Sequence, residues 1–255
     1  MTNRPLYTEL AWAYDLIINK PVEKWCGFIH GILQRQAIPP GGRVLDAGCG
    51  TGDYAIRLGR RGYRVLGLDT SAEMISQAGS KDRGSTGNVQ FLEADLLEMP
   101  VLPAFDAILC RGVLNDLTSD DDRRHIFPAF AVALRKKGLL ILDVRDWDRS
   151  LVSKKAQPLS QRRVATDRGE LIFRSETGCD EGGHRLLIRE TSELISGGTT
   201  KHTSFDLAMR CWTTDELTGS LSAAGFSVIK LLGDYDESIP VGSTDRIIAI
   251  VRLIA

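Results

Sequence analysis

The residues that could do chemistry begin with an acid followed by glycines. In Asp46-Ala47-Gly48-Cys49-Gly50-Thr51-Gly52 a carboxylate precedes three glycines set two apart. Glycine has no Cβ and accepts dihedrals that other residues resist, so such a turn brings backbone N–H groups and a helix N-terminus close to a ligand. Two further acids, Asp69 and Asp95, close short apolar runs later in the chain. The dinucleotide fingerprint G-x-G-x-x-G requires its third glycine one residue beyond Gly52, so this turn departs from it.

The elements that must position these residues follow from hydrophobic periodicity. Val44 to Ala47 reads as a strand and Asp53 to Arg61 as a helix with Ala55 and Leu58 inward and Gly62 as stop signal. Val65 to Asp69, Val89 to Asp95, Phe105 to Gly112 and Leu139 to Val144 read as further strands, the fourth apolar enough to be buried on both faces. Two helices, Leu6 to Ile18 and Val22 to Arg35, precede the first strand. Ser119 to Lys137 predicts a helix with Asp120 to Asp122 at its start and Arg135 to Lys137 at its end, charges that complement the helix dipole. Pro128 should kink or divide it.

From Arg162 to Trp212 the period changes to two, with turns at Asp167-Arg168-Gly169, Asp180 to Gly183 and Ser196-Gly197-Gly198. This predicts an antiparallel meander of about three strands, too small to stand alone, whose apolar face packs on the carboxyl edge of the main sheet. Thr213 to Glu216 is a capping box opening a helix that stops at Gly225, and Phe226 to Leu232 and Arg246 to Ile254 are the last strands. The expected organisation is a core of residues 1–148 and 213–255, with 1–38 as a helical cap, and an insertion at 149–212.

Composition narrows the function. At 255 residues and 43% hydrophobic content the chain can bury a full core. A net charge of −1 and pI of about 6.4 supply no basic excess for phosphate backbones, so no nucleic-acid partner is expected. Five cysteines without C-x-x-C pairing point to a reduced, cytoplasmic setting. The four histidines show no ligand spacing, so no metal is expected, and no apolar run reaches the roughly 18 residues of a membrane span.

The ordered set Asp46, Gly48, Gly50, Asp69, Asp95 on alternating strands and helices resembles the class I S-adenosylmethionine (SAM) dependent methyltransferases, whose first motif is an acid followed by G-x-G-x-G. The resemblance implies a Rossmann-like α/β fold, a seven-stranded methyltransferase sheet with helices on both faces and its seventh strand antiparallel, here carrying the inserted β meander. It implies SAM as cofactor, held by Asp46, Gly48, Cys49 and Gly50, by Asp69 on the ribose hydroxyls with Thr70 and Met74 beside it, by Asp95 and Leu96 at the adenine, and by Cys110 and Arg111 after the fourth strand. In related small-molecule enzymes the N-terminal helices fold over the cofactor and contribute a tyrosine. Tyr14 is the candidate here, with Trp25 a weaker one for the pocket wall.

Strand five runs into Asp143-Val144-Arg145-Asp146-Trp147-Asp148, similar to the acid-x-Arg-Asn-Tyr-Asp stretch of the glycine and sarcosine N-methyltransferase group. By that resemblance Arg145 would hold an acceptor carboxylate with its planar fork, unless it pairs with Asp143 or Asp148. After the fourth strand stand Asn115 and Asp116, where many oxygen-directed relatives hold a histidine. An amine, once neutral, needs only alignment. The expectation is therefore methyl transfer to a small-molecule amine or amino-acid nitrogen, with Tyr14, Asn115 and Arg145 orienting the acceptor. The alternatives are an O- or C-methyltransferase and a SAM-binding protein that does not turn over. The meander would line the acceptor pocket, with a homodimer interface as its competing role.

Overall fold

The computed structural model describes residues 3–82, 87–98 and 105–254. Two sheets organise it. The larger contains β1 (Arg43–Ala47), β2 (Arg64–Asp69), β3 (Val89–Glu93), β4 (Phe105–Arg111), β5 (Leu134–Arg145), β10 (Phe226–Leu232) and β11 (Arg246–Leu253), in the order β10-β11-β5-β4-β1-β2-β3. From β5 through β3 every pairing is parallel, whereas β11 runs antiparallel to both β5 and β10. This is the seven-stranded Rossmann-like sheet with an antiparallel seventh strand that the resemblance implies.

Alternation along the strands feeds two cores. Leu140, Leu142 and Val144 of β5 pack with α5 (Asp120–Ala133) and α7 (Thr214–Ala223), while Leu139 and Ile141 face α2 (Val22–Arg35) and α3 (Asp53–Arg60). Both faces are thereby covered, as a parallel sheet requires. The carboxyl ends of β1, β2 and β4 converge at one edge, where open α/β sheets bind ligands.

The insertion forms a second sheet of four strands rather than about three: β6 (Leu159–Thr166), β7 (Gly169–Asp180), β8 (Arg185–Ser196) and β9 (Thr199–Arg210), all antiparallel neighbours in chain order. It follows α6 (Trp147–Ala156), whose start is capped by the Asp146 carboxylate accepting from Arg149 N. Its apolar face does not pack directly on the main sheet. Leu171 and Phe173 of β7 bury against Leu6, Ala13 and Ile17 of the N-terminal segment, which lies between the two sheets.

Two element boundaries differ from the sequence reading. The segment from Leu6 to Ile18 is not one helix but two 3-10 turns, Pro5–Tyr7 and Ala11–Ala13, followed by a short α1 (Tyr14–Ile18). Tertiary bonds break the helical run: Arg4 is buried on Glu190, and the Tyr7 carbonyl accepts from Ser71 Oγ. Helix α5 starts as expected, with Ser119 Oγ accepting from Asp122 N, and continues through Pro128 undivided, but it ends at Ala133. Arg135 to Lys137 lie on β5 instead, because Leu134 pairs with Phe105 and Arg135 reaches Asp106 at 2.7 Å.

Candidate active site

The glycine turn joins β1 to α3 and is fixed by β2. Gly48 N and Cys49 N both donate to the Leu68 carbonyl at 2.8 Å, and Gly50 N donates to Asp69 Oδ2 at 2.8 Å. The glycines at 48 and 50 serve different ends. A Cβ on Gly48, whose φ is +75°, would meet Val113 Cγ2 at 2.1 Å, so the loop after β4 rests on it. A Cβ on Gly50 would meet nothing within 4 Å: it would enter open space.

That space is a partly open cavity of about 140 Å³ between the turn, α1 and the end of β4. Tyr14, Lys20, Asp46, Cys49, Tyr54 and Arg111 contribute to its wall. Asp46 is 3% exposed, and its Oδ2 has no hydrogen-bond partner among the described residues. The Tyr54 hydroxyl is likewise buried and unpaired. Burial pushes the Asp46 carboxyl up to about 6, against the pull of the Arg111 guanidinium. Arg111 stacks 3.4 Å from the Tyr54 ring centroid and donates to Tyr235 Oη at 2.9 Å. Tyr235 in turn donates to Asp143 Oδ2 at 2.6 Å. Buried cation and buried acid thus face one cavity, and the acid lacks a hydrogen-bond donor that an ammonium group could supply.

The expected site residues separate into three groups. Tyr14, Asp46, Gly48, Cys49, Gly50 and Arg111 meet at the cavity. Asp69, Thr70, Met74, Asp95 and Leu96 continue along the same sheet edge outside it. Asp69 accepts from Gly50 N and Ser71 N, leaving each carboxylate oxygen a second lone pair, and burial raises its pKa. Asp95 Oδ1 accepts from Leu97 N, Met74 is buried on α4 (Ala72–Asp82), and Leu96 belongs to the core beneath.

The third group faces elsewhere. Cys110 is fully buried among core side chains and not at the cavity. Asn115 is 4% exposed and spends its Oδ1 on Arg145 N. The Arg145 guanidinium pairs with Asp245 Oδ2 at 2.6 Å, with neither Asp143 nor Asp148. Trp25 stacks on Tyr235 at 4.9 Å and so stands behind Arg111 rather than in the wall.

Sequence reasoning missed Asp15, Lys20 and Tyr54. Asp15 receives Thr51 Oγ1 at 2.7 Å and also pairs with Lys81, which ties the N-terminal cap to the glycine turn. Its signal was adjacency to Tyr14. Lys20 donates to Tyr14 Oη at 3.3 Å. No sequence pattern marks Lys20 or Tyr54, because the cavity is made by elements that only the fold brings together.

A Rossmann-like sheet with an antiparallel seventh strand, and an acid-glycine turn facing a cavity with unpaired polar groups, defines a nucleotide-binding methyltransferase architecture. Comparison with known proteins agrees. A methyltransferase domain model matches residues 44–138. A glycine/sarcosine N-methyltransferase of Aphanothece halophytica is 35% identical over 213 residues, 82% of this chain and 76% of that protein. A methyltransferase-named protein of Geobacillus sp. strain WCH70 is 26% identical over 251 residues, 96% of this chain and 99% of that one. In fold, a SAM-dependent methyltransferase from Clostridium acetobutylicum superposes with a TM-score of 0.82 at 20% identity, covering 97% and 98% of the two chains. The chain belongs to the class I SAM-dependent methyltransferases, and SAM is its cofactor.

Proposed function

We propose that this enzyme methylates the nitrogen of a small-molecule amine or amino acid. The observation that carries the reading is that Asp116 Oδ1, on the loop after β4, is buried with no hydrogen-bond partner among the described residues. An ammonium-bearing acceptor would supply the missing donor, which a carboxylate or a phenolate would not. The relationship to the glycine/sarcosine N-methyltransferase supports the same acceptor class.

The residues present fit the cofactor. The unpaired Asp46 Oδ2 suits the ammonium of its methionine end, Arg111 and Lys20 suit the carboxylate, the open face of Gly50 admits its backbone, and Asp69 keeps lone pairs for ribose hydroxyls. When bound, SAM supplies an electrophilic methyl group. At this cavity the chain orients the cofactor and excludes water, with Tyr14 and the N-terminal cap over it. The division into a core of residues 1–148 and 213–255 and an acceptor-side insertion at 149–212 belongs to this reading. Arg145, engaged by Asp245, meets an acceptor carboxylate only after exchange of that partner.

Incubation with methyl-labelled SAM and a panel of glycine, sarcosine, amino sugars, phenols and hydroxy acids tests the assignment. Label in an amine is expected. Transfer only to hydroxyl or carbon acceptors, or no transfer to any of them, would overturn it.

A further inference from the structure

Resting on the amine reading, we propose that Asp116 is the catalytic residue that takes the acceptor's proton, and that a buried relay from the inserted sheet through Arg4 and Tyr7 positions it. The loop after β4 carries Val113 onto Gly48 and, one turn later, Asp116 against the N-terminal segment, with Asp116 N donating to the Val113 carbonyl at 2.9 Å. Asp116 Oδ2 accepts from Tyr7 Oη at 3.3 Å, whereas its Oδ1 is buried and has no partner among the described residues. Tyr7 Oη accepts from Arg4 Nη1 at 2.6 Å, and Arg4 forks onto Glu190 of β8 with contacts of 2.8 and 2.5 Å. Arg4 and Glu190 are each 6% exposed.

Several features set this group apart from an ordinary buried ion pair. Arg4 is already neutralised by Glu190, so Asp116 is left a tyrosine hydroxyl and one free oxygen. The Tyr7 and Tyr14 ring centroids are 6.2 Å apart and Tyr14 is in the cavity wall, so Asp116 lies one tyrosine removed from the cofactor cavity. The charged and titratable groups around it are Arg4 and Tyr7 from the N-terminal segment, Glu190 from β8 and Asp69 from the end of β2.

The step balances as follows. The acceptor arrives as an ammonium, one N–H proton passes to Asp116 Oδ1, and the freed lone pair forms the N–C bond while the S–C electron pair stays on sulfur. The proton then leaves Asp116 for solvent. Burial pushes the Asp116 carboxyl up to about 6, against the pull of Arg4 and the Tyr7 hydrogen bond, which brings it toward the range of a working base.

Calorimetric titration with sinefungin, which carries an ammonium where SAM carries its sulfonium methyl, tests the contact without turnover. Wild type should prefer sinefungin to S-adenosylhomocysteine, and Asp116→Asn should lose roughly tenfold of that preference while binding S-adenosylhomocysteine as wild type does. On whichever acceptor the labelled-SAM panel identifies, Asp116→Asn should lower kcat by about 100-fold and abolish the rise in rate through pH 6. Tyr7→Phe keeps the carboxylate but removes a bond that holds its pKa down, so it should move that rise to higher pH. Unchanged sinefungin preference in Asp116→Asn, or an unmoved pH profile in both variants, overturns the role of Asp116. Transfer to a hydroxyl acceptor with the Asp116 effects intact overturns only the amine reading.

Discussion

At the scale of single residues, Asp46 and Asp69 do opposite things to the apoprotein and the complex. Burial holds the Asp46 carboxyl at about 6, above its ordinary 3.8, so the folded state disfavours the charge. For an acid raised in this way, the penalty is present above pH 6 and disappears as pH falls toward 3.8. Asp46→Asn should therefore stabilise the ligand-free protein at pH 7.5 by about 1 to 3 kcal/mol, read from urea unfolding, while weakening SAM binding. In the wild type, SAM affinity should fall as pH drops through about 6, where Asp46 takes up a proton. Asp69→Ala should lower SAM affinity by about 2 to 3 kcal/mol in calorimetric titration, since it removes an acceptor for two hydroxyl donors. Equal affinity of that variant and wild type would refute the ribose assignment.

At the scale of elements, the glycine turn separates structural from functional glycines. Gly48→Ala would drive a methyl group into Val113, so it should unfold or displace the loop after β4 and show a lowered melting temperature. Gly50→Ala meets only open space, and its φ of +53° makes the strain modest, about 1 kcal/mol. Its loss should fall on SAM affinity, with the fold nearly unaffected. Comparable destabilisation in both variants would show that the space above Gly50 is not the ligand's. The inserted sheet has its own test: Leu171, fully buried against the N-terminal segment, should cost about 2 to 5 kcal/mol when replaced by Ala.

At the scale of the whole molecule, the N-terminal segment joins the two sheets on the cofactor side, while Trp147, Leu186 and Cys211 join them at the far end of the insertion. It buries Leu6 and Ile17 under β7, gives Asp15 to Thr51 at the glycine turn, and places Tyr14 at the cavity. Ligand binding at the turn should therefore order both sheets' contacts with this segment. With SAM at about 100-fold its Kd, stability should rise by about 2.7 kcal/mol, and hydrogen exchange should slow in α1 and β7 as well as in the turn. Protection confined to residues of the main sheet would argue that the insertion is independent of the cofactor site.

The sequence by itself determined the main sheet and the acid-glycine turn that lines the cavity, because these rest on local signals. Strand, glycine turn and helix follow within a few residues of Asp46, Asp69 ends the strand whose apolar run announces it, and Asp95 lies two residues beyond β3, which stops at Glu93 rather than at Asp95. The antiparallel four-strand insertion was legible in kind for the same reason, as alternation in twos survives whatever the sheet packs on. Only the tertiary structure decided the rest. Whether Arg145 faces an acceptor or Asp245, or whether Leu6 to Ile18 stays one helix, depends on partners as far away as Glu190, and pairs so distant in sequence leave no periodicity to read. The same holds for the meeting of Lys20, Tyr54 and Arg111 around one cavity and of Arg4, Tyr7, Asp116 and Glu190 beneath one sheet, since the burial that gives these groups their energies exists only once the chain has closed over them.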